Sequence, residues 1–322
     1  MKNFIKSFLA VIFLLALSCK TALACACGCG VFSVGTSALI PNCQGGIAFL
    51  QYDNLTQNRN WSKEKKSDEH NHDTRIATQT VTAGVQYMFN RSWGLAARIP
   101  YVTRLNSQIH EETIEEEDDH GHHHEITKTT SEKIRTNSVG DIRVNAIYSG
   151  FSDDMSSGIT FGLKLPTAQD NARNLERNMQ IGTGSTDFLI GGYKLGKFSN
   201  NSKLNWFAQT NWQHAFLVHR GYRVGDEISA ASGIFYDAGK FYGIKKVAPI
   251  LQITAAKRLK DKGWASDQQN SGYSQAFFAP ALELNFNKFK IYADVEFPIY
   301  RNVNGNQLVA QNIYKMILGY NF

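Results

Sequence analysis

Hydrophobic and polar residues alternate along most of the chain after residue 45, and most clearly in its last nine residues. One face of this stretch carries large apolar side chains, namely Tyr314, Met316, Leu318, Tyr320 and Phe322. The other face carries Lys315, Gly319 and Asn321, and Ile317 alone departs from the pattern. A period of two residues predicts a β-strand whose two faces meet different environments. If the aromatic face meets lipid, every strand must be paired, because a membrane tolerates no open sheet edge.

The same alternation predicts twelve antiparallel strands. Their ranges are 47–55, 76–89, 93–103, 139–148, 159–165, 186–195, 204–216, 228–238, 247–258, 276–286, 290–300 and 314–322. Connections after even-numbered strands are short, and those after odd-numbered strands are mostly long. An even count with this asymmetry is typical of transmembrane barrels. The sequence therefore predicts an all-β fold, a transmembrane antiparallel up-and-down β-barrel over residues 45–322, with a soluble β-sandwich as the competing fold.

Composition agrees with a β-barrel rather than with a helical membrane protein. Aromatic residues make up 12% of the 322 residues, and there are 26 glycines but only 6 prolines. The mean hydropathy of −0.31 is too low for a bundle of membrane helices. Girdles of tyrosine, phenylalanine and tryptophan at the two membrane interfaces would account for the aromatic content.

The amino-terminal region predicts a cleaved secretory signal over residues 1–24. Two lysines precede the apolar run Phe8–Leu17, which is too short to span a bilayer, and Ala22-Leu23-Ala24 is a small-x-small cleavage site. Residues 25–44 would then form a periplasmic cysteine-rich segment. Loss of the signal removes three lysines and lowers the formal net charge from +6 to +3. That near-balance gives no case for nucleic acid as a partner.

Charged residues on the polar faces of the strands are predicted to line the interior. They are Arg98, Asp141, Arg143, Lys164, Glu283, Asp294, Glu296 and Lys315. Two interpretations stay open: solvated groups lining a pore, or ion pairs that fill a narrow interior. A lining of mixed sign argues against strong selectivity for anions or cations in either case.

Three segments stand in a recognisable order along the middle of the chain: 139–142 (Val-Gly-Asp-Ile), 162–167 (Gly-Leu-Lys-Leu-Pro-Thr) and 182–187 (Gly-Thr-Gly-Ser-Thr-Asp). In this the chain resembles the outer-membrane transporter family associated with the MetA-type pathway of phenol degradation. Ala168 stands where that family has glycine after Pro-Thr. The resemblance implies an outer-membrane barrel with a transport role, and it implies no particular substrate and no catalytic residues.

Seven of the nine histidines fall in the first two long connections: His70, His72, His110, His120, His122, His123 and His124. Carboxylates flank them, and imidazole with carboxylate is a ligand set for Zn²⁺, Ni²⁺ or Cu²⁺. Both connections would leave neighbouring strands on the same side of the barrel. The sequence favours low-affinity metal capture on the outer surface over a dedicated closed site, and a solvated tract without metal is the alternative.

Cysteines form a C-x-C-x-C array at Cys25, Cys27 and Cys29, followed by Cys43. Alternate thiols of an extended segment project the same way, as a soft-metal site for Cu(I) or Zn²⁺ requires. Disulfide formation in an oxidising envelope is the equal alternative. Lipidation at Cys19 or Cys25 is a further alternative, although both lack leucine three residues earlier.

Enzymatic activity is not expected. His214 and His219 invite comparison with membrane hydrolases, but neither has a serine beside it, and no G-x-S-x-G or His-Glu-x-x-His occurs. The sequence predicts a passive channel or transporter for small solutes in the Gram-negative outer membrane, with both termini periplasmic and no required cofactor. Its expected partners are outer-membrane lipid, the outer-membrane assembly machinery, and small solutes or metal ions. The alternatives are a non-conducting, metal-binding or structural barrel, and uptake of small aromatic or hydrophobic compounds.

Overall fold

Thirteen β-strands account for most of the described chain. The computed structural model describes residues 37–41, 43–67, 75–117, 123–172, 175 and 177–322, with backbone alone at 37, 108–117, 123–132 and 178. The strands are β1 (Gly45–Lys63), β2 (Lys65–Lys66), β3 (Arg75–Met88), β4 (Trp93–Glu117), β5 (His123–Val139), β6 (Arg143–Tyr148), β7 (Ser157–Lys164), β8 (Ser185–Lys197), β9 (Leu204–Val218), β10 (Glu227–Tyr236), β11 (Lys246–Arg258), β12 (Tyr273–Asn285) and β13 (Phe289–Asn321). Two single 3₁₀ turns, Ser37–Leu39 and Arg177–Met179, complete the regular structure of these ranges. Within them, no helix is long and apolar enough to cross a membrane.

Eleven of these strands form a closed antiparallel ring, in which each strand pairs with its neighbours in chain order and β13 returns to β1. Strands β2 and β5 lie outside the ring, on β1 and β4 respectively. The seam between β1 and β13 runs from Ile47 paired with Asn321 to Lys63 paired with Val303. The predicted antiparallel β-barrel is therefore confirmed, and the β-sandwich is excluded. We call the end of the barrel that carries Gly45 and Asn321 the terminal end, and the opposite end the far end.

Strand β13 explains why the sequence predicts twelve strands and the ring contains eleven. Fully extended, its 33 residues would span about 110 Å. Its first part pairs with β12 and its second part with β1, while Lys315 Nζ lies 2.9 Å from Glu296 Oε1. The chain must therefore reverse within β13, at Gly305, where φ is +64°. The wall is crossed twelve times, but the predicted connection 301–313 is wrong, because paired backbone fills it up to the turn.

The long connection predicted at 104–138 is also wrong in its conformation. Strand β4 continues to Glu117 and pairs with β5 from Tyr101 opposite Val139 to Glu117 opposite His123. Strand β3 pairs with β4 only as far as Ser107, so beyond that residue β4 and β5 form a two-stranded ribbon past the wall. Threonine-rich sequence with cross-strand pairs of opposite charge, such as Glu112 with Lys128, favours this extended pairing.

The single strand predicted over 139–148 is interrupted. Strand β5 ends at Val139, and β6 begins at Arg143. Asp141 lies in the break and is buried, where its carboxylate accepts a hydrogen bond from the Ala168 backbone nitrogen at 3.2 Å. Strand β6 takes over from β5 as the neighbour of β4 at Arg98. The break therefore directs the acidic side chain of Asp141 toward the interior of the barrel.

Candidate functional site in the barrel interior

The wall separates an apolar outer surface from a polar inner one. On β13, Met316 is 49% and Leu318 44% exposed, whereas their neighbour Lys315 is 3% exposed. The same alternation of exposed apolar and buried residues recurs on β1, β3, β7, β11 and β12. A protein dissolved in water has the opposite arrangement, so the outer surface is built for lipid.

Aromatic side chains gather at the terminal end of this outer surface. Rings contact each other in the pairs Tyr87–Phe89, Tyr87–Phe322, Trp93–Tyr148, Tyr148–Phe151 and Phe289–Tyr320, with centroids 4.8 to 6.1 Å apart. Aromatic girdles of this kind occupy the boundary between lipid tails and head groups in membrane barrels. The girdle therefore marks one membrane interface at the terminal end.

Lys164 is the centre of a buried polar cluster on one side of the interior. Its Nζ lies 2.8 Å from Asp187 Oδ2 and 3.2 Å from Asp141 Oδ2, and it donates hydrogen bonds to the hydroxyls of Thr183 and Ser185. All five residues are at most 3% exposed. We call them the Lys164 cluster. Its ammonium group, two carboxylates and two hydroxyls satisfy one another in a buried site.

The three segments that carry the family resemblance meet at this cluster. Asp141 comes from the first, Lys164 from the second, and Thr183, Ser185 and Asp187 from the third. Thr167 adds a link, because its hydroxyl donates to the Gly140 carbonyl at 2.6 Å and accepts from the Ile142 nitrogen at 3.0 Å. The recognisable order of these segments therefore reflects one contact network in the fold.

The connection between β7 and β8 folds into the barrel instead of standing above it. Ala168 and Ile181 pack against Val102 of β4 in a small buried apolar cluster. Arg104 of β4, 1% exposed, donates to the Met179 carbonyl at 3.0 Å. The cluster around Lys164 fixes the two ends of this connection, and these contacts hold Ala168, Met179 and Ile181 against β4. We call the described residues between 165 and 184 the inner loop.

Lys315 is the centre of a second cluster, on the opposite part of the ring. Its Nζ lies 2.9 Å from Glu296 Oε1 and 4.0 Å from Asp294 Oδ2. Tyr292 donates to Asp294 at 2.6 Å, and Lys315 is paired across the seam with Asp53. We call Lys315, Glu296, Asp294, Tyr292 and Asp53 the Lys315 cluster. It joins the two arms of β13 to β1.

The segment Ala38–Pro41 enters the barrel from the terminal end. Ala38, Leu39 and Ile40 are buried, and the Ala38 carbonyl accepts a hydrogen bond from Lys290 Nζ at 2.9 Å. They belong to an apolar cluster with interior residues of the wall, including Ile317, which is fully buried. The interior at this end is therefore filled with apolar side chains, which explains why Ile317 departs from the alternation of its strand.

A cavity of about 100 Å³ lies between this segment and strands β3, β4 and β6 to β9. Leu39, Ile40 and Pro41 form one side of it, and Arg98, Arg143 and several amide side chains form the other. A second cavity of about 210 Å³ lies nearer the terminal end, beside Cys43 and Phe322. The interior thus contains small cavities between inserted segments and a polar wall.

The structure places all eight residues predicted to line the interior on the inner side of the barrel. Lys164 and Asp141 belong to the first cluster, and Lys315, Asp294 and Glu296 to the second. Glu283 lies 3.7 Å from Lys246, and Arg98 and Arg143 line the smaller cavity. Contact of any of them with a passing solute stays a prediction.

Sequence reasoning missed several residues that complete these clusters. Five of them lie within predicted strands, namely Gln51, Asp53, Asp187, Gln213 and Tyr292, and Ser185 directly precedes one. Strand parity was the available signal for Asp53 and Asp187, since each shares a face with other inward residues. Thr183 belongs to the inner loop, and no periodicity would have placed it beside Lys164.

Most residues predicted to bind metal lie outside the described residues. This holds for Cys25, Cys27 and Cys29, and for His70, His72, His120 and His122. The predicted signal peptide also lies outside the described residues. His110, His123 and His124 lie in the ribbon of β4 and β5, with Glu116 opposite His124 and Glu117 opposite His123. No group of three histidine, cysteine or acidic residues that would hold a metal ion occurs in the described part of the chain. Cys43 is exposed. Metal binding therefore stays a prediction.

His214 does not form a hydrolase-like arrangement within the described residues. Its Nδ1 lies 2.9 Å from Asp226 Oδ2, Arg223 approaches the ring at 3.4 Å, and Trp212 stacks on it. The ring contacts no serine hydroxyl among the described side chains. His219 is exposed at the far end.

Comparison with known proteins extends the fold assignment but not the family. No family model and no curated protein matches the sequence, so the resemblance to the MetA-type family stays a prediction. An outer-membrane channel from Pseudomonas putida F1 matches with 11% identity and a TM-score of 0.62, over 90% of this chain and 100% of that one. The beta domain of the Bordetella autotransporter BrkA matches with 9% identity and a TM-score of 0.48, over 87% and 100%. The toluene transporter TodX of P. putida matches with 11% identity and a TM-score of 0.43, over 94% and 98%. The first match shows that this chain shares the fold of an outer-membrane barrel.

Proposed function

We propose that this protein is an outer-membrane channel for small solutes. The observation that carries the proposal is a polar, partly open interior enclosed by a ring whose outer surface is apolar. A barrel of this construction crosses the outer membrane of Gram-negative bacteria. The shared fold with an outer-membrane channel of P. putida supports the same conclusion. Phe322, which belongs to the girdle, is the residue that we expect to contact the outer-membrane assembly machinery.

The two inserted segments restrict what passes. Residues Ala38–Pro41 occupy the terminal end of the interior, and the inner loop occupies the side toward β4. The cavity between the segment and the wall has room for about three water molecules, at about 30 Å³ each. The solutes are therefore small, or one of the two segments moves when they pass.

Small aromatic or hydrophobic compounds are the alternative cargo. Leu39, Ile40 and Leu189 give the cavity an apolar side, and such surface favours uncharged hydrocarbon over hydrated ions. A mixed cavity of this kind suits solutes with one polar and one apolar end equally well.

Conductance of the purified full-length protein in a planar bilayer tests the proposal. Wild type should give a steady open level in potassium chloride. A variant with Leu39→Ala and Ile40→Ala should give a larger one, because it shortens side chains on the cavity wall. Leu50→Ala is the matched control, since Leu50 is exposed on the outer surface. Absence of any open level in wild type and in the double variant would overturn the channel function.

A surface that captures metal is the second candidate. The ribbon of β4 and β5 carries His123 and His124 opposite Glu117 and Glu116, beyond the last residue of β4 that pairs with β3. Imidazole and carboxylate on facing positions of a ribbon would bind Zn²⁺, Ni²⁺ or Cu²⁺. This function needs no conduction, so a barrel without an open level that binds metal would favour it.

A further inference from the structure

Three cationic residues stand side by side on three neighbouring strands. Arg98 of β4 is paired directly with Arg143 of β6, and Arg143 is paired directly with Lys164 of β7. Directly opposed residues hold their Cβ atoms about 4.5–5.5 Å apart, so like charges at such positions destabilise a sheet. A row of three positive charges in a barrel wall therefore requires compensation by negative charge.

Of these three cationic residues, only Lys164 forms direct ion pairs with carboxylates in the part of the chain that the structure describes. Lys164 contacts two carboxylates, at 2.8 and 3.2 Å. Arg143 instead donates to the side-chain carbonyl of Gln213 at 3.1 Å, and Gln213 in turn donates to Asp187. Within the described chain, Arg143 forms no ion pair of its own. Its charge is therefore linked to an acid only through a neutral amide.

Arg98 forms no direct ion pair among the described residues either. Its guanidinium carbon lies 5.9 Å from the centroid of the Phe49 ring, and its buried Nε has no hydrogen-bond partner among the described residues. Asp53 also faces the interior, but both of its oxygens accept from Gln51 Nε2, at 3.0 and 2.8 Å. A buried, unsatisfied donor on a charged group is costly.

Both arginines line the same cavity of about 100 Å³. The described residues that line it include no carboxylate, so the two guanidinium groups supply all of the formal charge on its wall. Polar groups next to them come from Asn145, Gln209 and Asn211. The opposite side is apolar, formed by Leu39 and Ile40 of the inserted segment. The cavity therefore combines a cationic side with an apolar side.

We propose that this cavity binds a short-chain organic carboxylate. The proposal rests on the channel function proposed above and names the class of solute. The carboxylate would accept hydrogen bonds from Arg98 and Arg143, since the planar guanidinium fork matches carboxylate geometry. The apolar side would contact the hydrocarbon part of the solute. Phosphate or sulfate offers no such part and would leave the apolar side without a partner, which favours the organic acid.

Calorimetric titration of the full-length protein in detergent with butyrate tests the site. Arg98→Gln and Arg143→Gln should each weaken butyrate binding by about tenfold or more, as expected for hydrogen bonds to a charged group. Arg91→Gln is the matched control, because Arg91 is exposed in the turn between β3 and β4, and it should leave affinity unchanged. Equal affinity in wild type and both variants would overturn the proposal. Inorganic phosphate binding as tightly as butyrate would also overturn it, by showing a general anion site.

Folding of each variant is checked by heat-dependent migration on a denaturing gel, and a charge-retaining pair covers the case in which neutralisation prevents folding. Arg98→Lys with Arg143→Lys keeps both charges but removes the forks, so butyrate should bind more weakly than in wild type. Unchanged affinity in that pair would contradict recognition by the guanidinium groups.

Conductance measured on the same preparations separates this inference from the channel function. Wild-type channels that conduct potassium chloride while butyrate neither binds nor alters the current would overturn the carboxylate site and leave the channel standing. Butyrate binding that the arginine variants abolish, in a protein without any open level, would support the site and overturn the channel.

Discussion

The Lys164 cluster and the Lys315 cluster use nearly the same chemistry on opposite parts of one ring. Each places a buried lysine beside two carboxylates, at 2.8 and 3.2 Å for Lys164 and at 2.9 and 4.0 Å for Lys315. The partners differ in where they come from. Thr183 of the first cluster belongs to the inner loop, whereas every member of the second lies in β1 or β13.

This difference in origin assigns the clusters different tasks. The Lys315 cluster connects strands that are already paired through their backbones, so it strengthens the seam. The Lys164 cluster connects a strand to the inner loop, whose described residues form no backbone-to-backbone hydrogen bond with a strand of the ring, so it also decides where those residues lie. The same kind of ion pair joins two strands in the Lys315 cluster and fixes a loop to the wall in the Lys164 cluster.

Removing the ammonium group of Lys164 should have the largest effect. Lys164→Met leaves Asp141 and Asp187 buried without a cation, and we expect the free energy of unfolding to fall by about 4–5 kcal/mol. Conductance should change as well, because the inner loop loses its anchor. Urea unfolding in lipid vesicles, followed by tryptophan fluorescence, measures the first effect, and bilayer recordings measure the second. Addition of Asp187→Leu should restore part of the stability, and a double variant less stable than Lys164→Met would contradict the ion-pair explanation.

Removing the ammonium group of Lys315 should destabilise the barrel with little effect on conduction. Lys315→Met leaves Glu296 and Asp294 without their cation, and we expect a loss of about 3 kcal/mol, since fewer groups accept hydrogen bonds from this lysine than from Lys164. The inner loop keeps its anchor, so single-channel current should stay close to wild type in the folded fraction. A current changed as strongly as in Lys164→Met would remove the distinction between the two clusters.

A smaller change should separate the anchor from the charge. Thr183→Val keeps both carboxylates and Lys164 but removes the hydroxyl that donates to Asp141 at 3.2 Å, so we expect a loss of about 1–2 kcal/mol. The open level should become noisier because the loop is held less firmly. Ser156→Ala, in a turn at the terminal end, is the control. Identical recordings for the two variants would argue that Thr183 does not hold the loop.

The outer connections should affect neither cluster. Changing His120, His122, His123 and His124 to serine should leave the unfolding free energy within about 0.5 kcal/mol of wild type. Zn²⁺, Ni²⁺ or Cu²⁺ should bind about tenfold more weakly, which corresponds to a loss of about 1.4 kcal/mol. Binding to wild type should weaken as the pH falls through about 6.5, because neutral imidazole is the ligand. Equal affinity in the two proteins would identify a solvated tract and leave the cysteines as the remaining candidate.

The alternation of residues between the two faces of each strand accounts for what the sequence revealed of the fold. Membrane barrels put lipid on one side of every strand, so a two-residue period survives even where propensity is weak. Parity also placed Lys164, Asp294 and Lys315 on the inner face. A two-residue period gives no information where the chain leaves the wall. For that reason the sequence did not predict the break at Asp141 or the insertion of the inner loop.

The lengths of the far-end connections were misjudged for a related reason. The polar residues of β4 beyond Ser107 look like a solvated loop, since neither of their faces is apolar. Backbone pairing with β5 continues there without a hydrophobic face. Partners of the interior clusters likewise depend on register between distant strands, which composition does not fix.

Closing the ring costs chain entropy, because it pairs the first strand of the barrel with the last. The seam joins Ile47 to Asn321, 274 residues apart, and runs over fifteen residue pairs. Loop-closure entropy rises by about 0.6 kcal/mol for each doubling of length, so this closure costs about 2.5 kcal/mol more than that of a 15-residue hairpin. The reversal at Gly305 places the last two wall segments in one local hairpin. The chain can therefore form all other pairings locally and meet the long-range cost once, when β1 and the final arm of β13 come together.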